Sequence, residues 1–276
     1  MANMGNTEVV ARRVLPIIYV VDTSGSMYGE RIAKVNQAML EMPRVLKDVS
    51  DDNPDAETRV GVLQFSTGAK WVTPGLVQME DFYWNKLEAG GTTMFAEMLN
   101  ELHAKLSRSE YMKSDAGFCV PVVIFMSDGE PTDASGVWEQ KLEWVKLNNK
   151  WFQHATKIAI AIDEEADKDA LAKLVGTREA VVQVNDVNTL KTLIQVVSMT
   201  ASKIGSTSRT SHDVNPAQEI IKETVKQIDP NNIKMDDGKG NFVNPIQKPD
   251  TDPVLINPVA PTPDPVPGSW PTEVVW

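Results

Sequence analysis

The chain has 276 residues, of which 42% are hydrophobic, and a formal net charge of −11. This length suits one domain of about 200 residues with an extension, and the acidic balance argues against nucleic acid or anionic lipid as a partner, because both require clustered Lys and Arg. A single cysteine, Cys119, excludes an internal disulfide, and neither residues 1–13 nor the apolar run from Val14 to Val21 is long enough to serve as a signal peptide or membrane span. We therefore expect a cytoplasmic protein with neither a membrane nor a nucleic-acid partner.

Apolar runs alternate with amphipathic segments through the first 205 residues. In chain order, we predict a strand at 14–21, a helix at 30–49, a hairpin of strands at 59–65 and 69–72, a helix at 95–106, a strand at 120–126, a helix at 136–155, a strand at 157–162, a helix at 167–175, a strand at 180–184 and a helix at 190–204. Buried strands that alternate with helices are typical of a mainly parallel sheet. The predicted fold class is α/β: a doubly wound, mainly parallel six-stranded sheet, Rossmann-like, with one antiparallel edge strand and helices on both faces. Trp144 and Trp151 are seven residues apart on one predicted helix, and we expect both to pack in the core.

The sequence changes character after residue 205. A polar hinge is followed by an amphipathic helix from Pro216 to Ile228. Nine of the 17 prolines lie between Pro245 and Pro271, and proline blocks sheet hydrogen bonding. We divide the chain into an N-terminal segment (1–13), an α/β domain (14–205), a hinge and helix (206–229) and a flexible tail (230–276). Trp270 and Trp276 of this tail either anchor a partner or stack on the domain itself.

Polar side chains follow two of the predicted strands, and another lies in a glycine-rich loop. Asp22, Ser24 and Ser26 come directly after the first strand, Asp128 follows the strand at 120–126, and Thr92 lies in the loop. In doubly wound sheets, ligands bind beyond the carboxyl ends of the strands at a topological switch point, so two neighbouring strands there would bring these residues together. Oxygen ligands without a thiolate or an imidazole suit a hard cation. The sequence therefore predicts a Mg²⁺ site, with Mn²⁺ or Ca²⁺ as alternatives, formed by Asp22, Ser24, Ser26, Thr92 and Asp128.

Each part of this site also has a simpler explanation. Ser and Asp often cap helices at strand-to-helix junctions, and Asp128-Gly129 is an ordinary turn dipeptide. The acidic cluster from Asp163 to Asp167 could hold a second metal, but a solvated turn that caps the helix from Asp167 is the preferred interpretation. A metal site is favoured only because the chain combines, in this order, the residues after the first strand, the glycine-rich loop and the aspartate after the strand at 120–126.

A Mg²⁺-dependent phosphoesterase is the alternative from another functional class, with Asp22 as the nucleophile. Phosphatases of the haloacid dehalogenase type look like Asp-x-Asp at the end of this strand. This chain has Asp22-Thr23-Ser24, and Ser24, in place of the second aspartate, cannot act as a carboxylic general acid. The chain also lacks a phosphate-binding glycine-rich motif and a nucleophile paired with a base. We therefore expect no catalytic residues and no organic cofactor. A scaffold with a purely structural metal is a third interpretation.

The order D-x-S-x-S, then T, then D resembles the metal-ion-dependent adhesion site of von Willebrand factor A domains. The segments Asp22–Glu30, Gly90–Thr92 and Ser127–Asp133 are most similar to the bacterial tellurite-resistance, TerY-like branch of that superfamily. The resemblance covers about 190 residues, from Val14 to Gly205.

This resemblance has implications for both the site and its function. It implies that Ser24 and Ser26 ligate the metal directly and that Asp22 and Asp128 act largely through water. It also implies that Thr92, which directly follows Gly90-Gly91, rather than its neighbour Thr93, joins them when a partner binds. It also implies a metal-dependent adaptor whose partner protein presents a Glu or Asp carboxylate to the metal. Such an adaptor would act in a stress or tellurite-resistance signalling system, beside kinase or phosphatase partners.

Overall fold

Nine strands form one sheet within residues 12–44, 47, 56–78, 81–206 and 216–245, which the computed structural model describes. The strands are β1 (Arg13–Asp22), β2 (Ala56–Phe65), β3 (Ala69–Trp71), β4 (Val77–Gln78), β5 (Val122–Ser127), β6 (Thr156–Ile162), β7 (Val181–Val184), β8 (Ile233–Asp236) and β9 (Phe242–Val243). Their order across the sheet is β3-β2-β1-β5-β6-β7-β8-β9, and β4 also pairs with β2. Four of the five predicted metal-site residues therefore lie at or just after the ends of two adjacent strands: Asp22, Ser24 and Ser26 for β1, and Asp128 for β5.

The central strands β2, β1, β5, β6 and β7 pair in parallel, and the strands at both edges are antiparallel. The predicted fold class is confirmed. The predicted strand number is wrong, since the described residues form nine strands rather than six, with antiparallel strands at both edges rather than at one. The additional strands β4, β8 and β9 have two to four residues each. An alternating pattern cannot be recognised over so few residues, and these strands form because a neighbouring strand satisfies their backbone groups.

Helices cover both faces of the sheet. They are α1 (Glu30–Leu40), α2 (Phe95–Lys105), α3 (Val137–Asn148), α4 (Lys150–His154), α5 (Lys168–Val175), α6 (Val187–Ser206) and α7 (Pro216–Val225). On one face, α1, α6 and α7 pack together, and the Tyr19 hydroxyl of β1 lies 2.8 Å from that of Ser198 in α6. On the other face, the rings of Phe95 in α2 and Trp138 in α3 meet edge to face with centroids 5.3 Å apart. Because both faces are covered, every residue of β1 after Arg13 is buried.

The helix predicted at 136–155 is divided at Asn149. The Asn149 side chain accepts a hydrogen bond from the Phe152 amide at 3.0 Å and donates to two carbonyls at the end of α2, which starts α4 in a new direction. Trp144, within α3, is 45% exposed and lies against the His103 ring, with centroids 4.5 Å apart. The expectation that Trp144 packs in the core is therefore wrong, whereas Trp151 is half-buried beside the core.

The chain remains ordered into the sheet beyond residue 230, where the sequence analysis begins its flexible tail. β8 pairs antiparallel with β7 through Val184 and Ile233, and Ile233 is buried. The predictions for residues 1–11, for the hinge at 207–215 and for the tail from 246 onward, including Trp270 and Trp276, lie outside the described residues. Among the helices described, none is both long and apolar enough to cross a membrane.

Candidate metal site

The site lies beyond the carboxyl ends of β1 and β5. The chain passes from β1 to β2 on one side and from β5 to β6 on the other, so the boundary between β1 and β5 is the topological switch point of the sheet. The parallel register aligns Val21 with Met126, which places Asp22 beside Ser127. The sheet topology thus brings the first and last parts of the predicted motif together.

Asp22 is fully buried, and its carboxylate organises the loop that follows β1. One oxygen, Oδ1, accepts a hydrogen bond from the Ser24 amide at 2.8 Å, and Oδ2 accepts one from the Ser127 hydroxyl at 2.6 Å. The Ser127 hydroxyl also accepts from the Gly129 amide at 2.7 Å. Burial raises the pKa of Asp22 to about 6, against the opposing effect of these hydrogen bonds, and the nearby charge of Asp128 adds to the rise.

The two serines lie side by side at the mouth of the site. A short 3₁₀ helix, Gly25–Met27, turns the chain over the strand end, and the hydroxyls of Ser24 and Ser26 are 3.0 Å apart. Ser24 is buried and Ser26 is exposed. Their arrangement leaves one hydroxyl at the floor and one at the rim of the site.

The loop that carries Thr92 packs closely against the first loop. The Gly25 amide donates to the Gly91 carbonyl at 2.9 Å, and a Cβ at Gly91, which has φ +85°, would lie 2.5 Å from the Thr67 hydroxyl oxygen. Thr92 is exposed, and its hydroxyl donates to Thr67 at 3.1 Å rather than to a serine of the site. Its neighbour Thr93 is buried.

Asp128 contributes the feature that best fits a cation. Its side chain is 4% exposed, and among the residues described its buried Oδ1 atom has no hydrogen-bond partner. An ionised oxygen without a partner is costly in a protein interior. A hard cation held by Asp128 together with Ser24 and Ser26 would satisfy this oxygen, so the residues present fit a metal of the Mg²⁺ class.

Arg31 is a charged neighbour that the sequence analysis did not identify. Its guanidinium donates to the Ser26 carbonyl at 3.1 Å, to Asp163 at 3.1 Å and to Glu165 at 2.7 Å, and lies 3.4 Å from Oδ2 of Asp128. A signal for it existed in the sequence, because a cation in the first turn of a helix opposes the helix dipole and therefore calls for compensating carboxylates.

The acidic cluster after β6 forms a turn held by cations, in line with the preferred interpretation. Lys34 contacts Asp163 at 2.8 Å, and Lys234 contacts Glu164 at 2.7 Å. Asp167 caps α5, since its side chain accepts hydrogen bonds from the first amides of that helix.

Asp133 is a second residue that the sequence analysis missed. Its carboxylate accepts from the amides of Phe95 at 2.8 Å and Ala96 at 3.0 Å, so it caps α2 from 38 positions further along the chain. The Thr132 amide donates to the Thr93 carbonyl at 2.9 Å. The loops of Thr92 and Asp128 are therefore joined, which no local sequence pattern indicates.

Comparison with known proteins places these features in a family. The family model described as von Willebrand factor type A domain matches residues 17–196. Among solved structures, the chain is similar to von Willebrand factor type A from Catenulispora acidiphila, with 16% identity, a TM-score of 0.52 and coverage of 69% of this chain and 43% of that one. It is also similar to the ArnB paralog VWA2 from Sulfolobus acidocaldarius, with 17% identity, a TM-score of 0.47 and coverage of 66% and 44%. Proximal thread matrix protein 1 from the mussel byssus, solved with a zinc-occupied MIDAS motif, has 17% identity, a TM-score of 0.45 and coverage of 70% and 46%.

The chain spans less than half the length of each of these structures, and at such identities the likeness concerns the fold alone. No curated protein matches the chain. Because the family match extends over well more than half of the residues and the sheet has its switch point between β1 and β5, the protein belongs to the von Willebrand factor type A domain family.

Proposed function

We propose that the protein is an adaptor that binds a partner protein through a Mg²⁺-type metal site. The observation that carries this proposal is the buried Oδ1 of Asp128, which has no partner among the described residues and lies across the switch point from Ser24 and Ser26. Bound there, the metal would act as a Lewis acid with coordination positions left for an outside oxygen.

The residues of the site divide into ligands and supports. Ser24, Ser26 and Asp128 are the proposed ligands, while Asp22 holds the Ser24 amide and the Ser127 hydroxyl in place. Thr92 is proposed to join only when a partner binds, because its hydroxyl must first leave Thr67. Exchanging one exposed hydrogen bond of this kind costs about 1 kcal/mol, which a partner contact can supply.

The partner should present a Glu or Asp carboxylate. The site offers only two carboxylates, Asp22 and Asp128, and its other three proposed residues carry neutral hydroxyls, so a metal bound there stays electrophilic. An anionic oxygen is the ligand class that best fills the remaining position on a hard cation. In this proposal the adaptor works in the cytoplasm, in a bacterial stress or tellurite-resistance system of the TerY-like kind, with kinase or phosphatase partners.

Titration calorimetry with Mg²⁺, Mn²⁺ and Ca²⁺ tests the site. The wild type should bind one ion, and a double variant, Ser24→Ala with Ser26→Ala, should bind at least about tenfold more weakly because two ligands are lost. A matched control is Ser107→Ala with Ser109→Ala, since those hydroxyls are also 3.0 Å apart but lie after α2, away from the site. Equal binding by the two double variants would contradict the assignment.

We further propose that the protein is not an enzyme. Asp22 is buried with both oxygens engaged, which supports a positioning role over that of a nucleophile, and Ser24 cannot replace a carboxylic acid. The expected result is no hydrolysis of p-nitrophenyl phosphate or ATP with Mg²⁺ present, measured beside partner retention on an affinity column. Turnover that Asp22→Ala abolishes would favour the phosphoesterase instead.

A further inference from the structure

A groove opens at the amino ends of β1 and β5, at the opposite end of these strands from the metal site. It consists of two adjoining cavities of about 460 Å³ each, which share Arg108, Phe118 and Trp151. Volumes of this size are typical of ligand sites. Because the shared residues lie where the two cavities meet, the groove is elongated and suits an extended segment of chain.

The floor of the groove is apolar. The rings of Phe118 and Trp151 are half-buried and meet edge to face, with centroids 5.7 Å apart and an interplanar angle of 72°. Val120 is 42% exposed, and Pro121 adds a further apolar wall. When a partner's side chain covers apolar surface of this kind, its removal from water makes the free energy of binding more favourable.

The rim of the groove is cationic. Arg108, Lys113 and Lys150 are exposed, and no carboxylate within the described part of the chain forms an ion pair with any of them. Arg13 donates to the Phe118 carbonyl, which is a neutral acceptor, and it forms no ion pair with a carboxylate of the described residues. Asp115 is the one carboxylate among the described residues that line the two cavities.

This charge is unusual for the molecule as a whole. The chain carries a net charge of −11, yet the described residues that line this groove include four cations and one carboxylate. Cations on an interface rim steer and select an oppositely charged partner.

From this combination we propose that the groove, lined by Arg13, Arg108, Phe118, Val120, Lys150 and Trp151, binds an extended acidic peptide segment of a partner protein. An aromatic or aliphatic side chain of the segment covers the Phe118–Trp151 floor, and flanking carboxylates pair with the rim. The protein would then have two independent interaction sites, at opposite ends of the central strands.

Fluorescence anisotropy with a labelled peptide, acetyl-Asp-Asp-Trp-Asp-Leu-Asp-amide, tests this inference on the full chain. EDTA is present throughout, so that peptide carboxylates cannot bind through a metal and failure of the metal-site proposal does not affect the result. We expect saturable binding that weakens with added salt, and a shift of the Trp151 indole resonance in ¹⁵N NMR spectra.

The matched variants separate the groove from general electrostatics. Arg108→Glu with Lys150→Glu should weaken binding at least about tenfold, whereas Lys222→Glu with Lys239→Glu, at exposed positions outside the groove, makes the same charge change and should have little effect. A peptide with Ala for Trp and Leu should also bind about tenfold more weakly, because the floor then stays uncovered.

Three outcomes would overturn the inference: equal weakening by the two charge-reversal pairs, equal binding of the Ala peptide, or equal binding of a peptide with Lys in place of Asp. Binding to vesicles that contain phosphatidylserine, without binding to the acidic peptide, would instead indicate a membrane surface. Melting temperatures of all variants should match the wild type, since the substituted side chains are exposed.

Discussion

Asp22 makes the stability of the metal-free protein depend on pH. Its pKa rises from 3.8 to about 6 on folding, mainly through burial, so the folded state holds the proton more tightly than the unfolded chain does. The resulting stabilisation, at most about 3 kcal/mol, is fully present below pH 3.8 and is lost as the pH rises through about 6. The buried charge therefore lowers stability at neutral pH until a cation compensates it.

The substitution Asp22→Asn isolates this contribution. In EDTA, the wild type should lose stability relative to Asp22→Asn between pH 5 and pH 7.5, because only the wild type acquires the buried charge, while the amide oxygen still accepts from Ser24. Denaturant unfolding at the two pH values measures the difference, and saturating Mg²⁺ should reverse it at pH 7.5. A difference that stays constant with pH would contradict this account.

Arg31 should weaken metal binding through its charge. Its guanidinium lies 3.4 Å from an oxygen of Asp128, so a divalent cation held by Asp128 is repelled by about 1–2 kcal/mol at that range, even with solvent screening. Arg31→Gln should therefore raise Mg²⁺ affinity about tenfold in calorimetry. Lys34→Gln is the control, because Lys34 pairs with Asp163 but not with Asp128, and its effect should be smaller. Unchanged or weaker binding by Arg31→Gln would show that the guanidinium organises the site instead.

At the level of elements, the cap of α2 connects helix stability to the metal site. Asp133 accepts the first amides of α2 from the loop that follows Asp128, so its loss both uncaps the helix and loosens that loop. Asp133→Ala should lower the free energy of unfolding by about 1–2 kcal/mol and also reduce Mg²⁺ affinity severalfold.

Asp186→Ala provides the comparison for this prediction. Asp186 accepts from the Thr189 amide at 2.9 Å at the start of α6, so its loss removes a cap of the same kind beyond β7. Stability should fall by a similar amount in denaturant unfolding, with metal affinity unchanged. If both variants bind the metal equally well, the Asp133 connection does not position the site.

At the level of the whole molecule, the domain extends to β8. Ile233 is buried beside β7, and Asp236 at the end of β8 forms an ion pair with Arg178 at 2.6 Å. Ile233→Ala should destabilise the domain by about 2–4 kcal/mol, as expected for a truncated core side chain, and the loss should appear in the single main unfolding transition. Val243→Ala in β9, where the side chain is 43% exposed, should cost much less. Equal small effects would mean that β8 contributes little to the core.

Local sequence patterns predicted the parallel centre of the sheet correctly. The runs from Val14 to Val21 and from Val122 to Met126 consist of residues that are buried throughout, because both faces of these strands are covered by helices. The edge strands β4, β8 and β9 could not be predicted in this way, since they owe their existence to pairing with strands elsewhere in the chain. The division of a predicted helix at Asn149 likewise depends on carbonyls from another helix.

The sequence by itself determined the residue types and the order of the candidate metal site, because a strand end, its hydroxyls and its carboxylates are adjacent in the chain. Only the tertiary structure decided how they are used. Within the part of the chain that is described, it leaves Oδ1 of Asp128 without a hydrogen-bond partner, joins Thr92 to Thr67 and brings Arg31 to the rim. It also gathers the cations and aromatic rings of the groove at the other end of the strands. These relations join residues far apart in the chain, and their energies depend on burial and distance, which are set only when the sheet and its helices pack together.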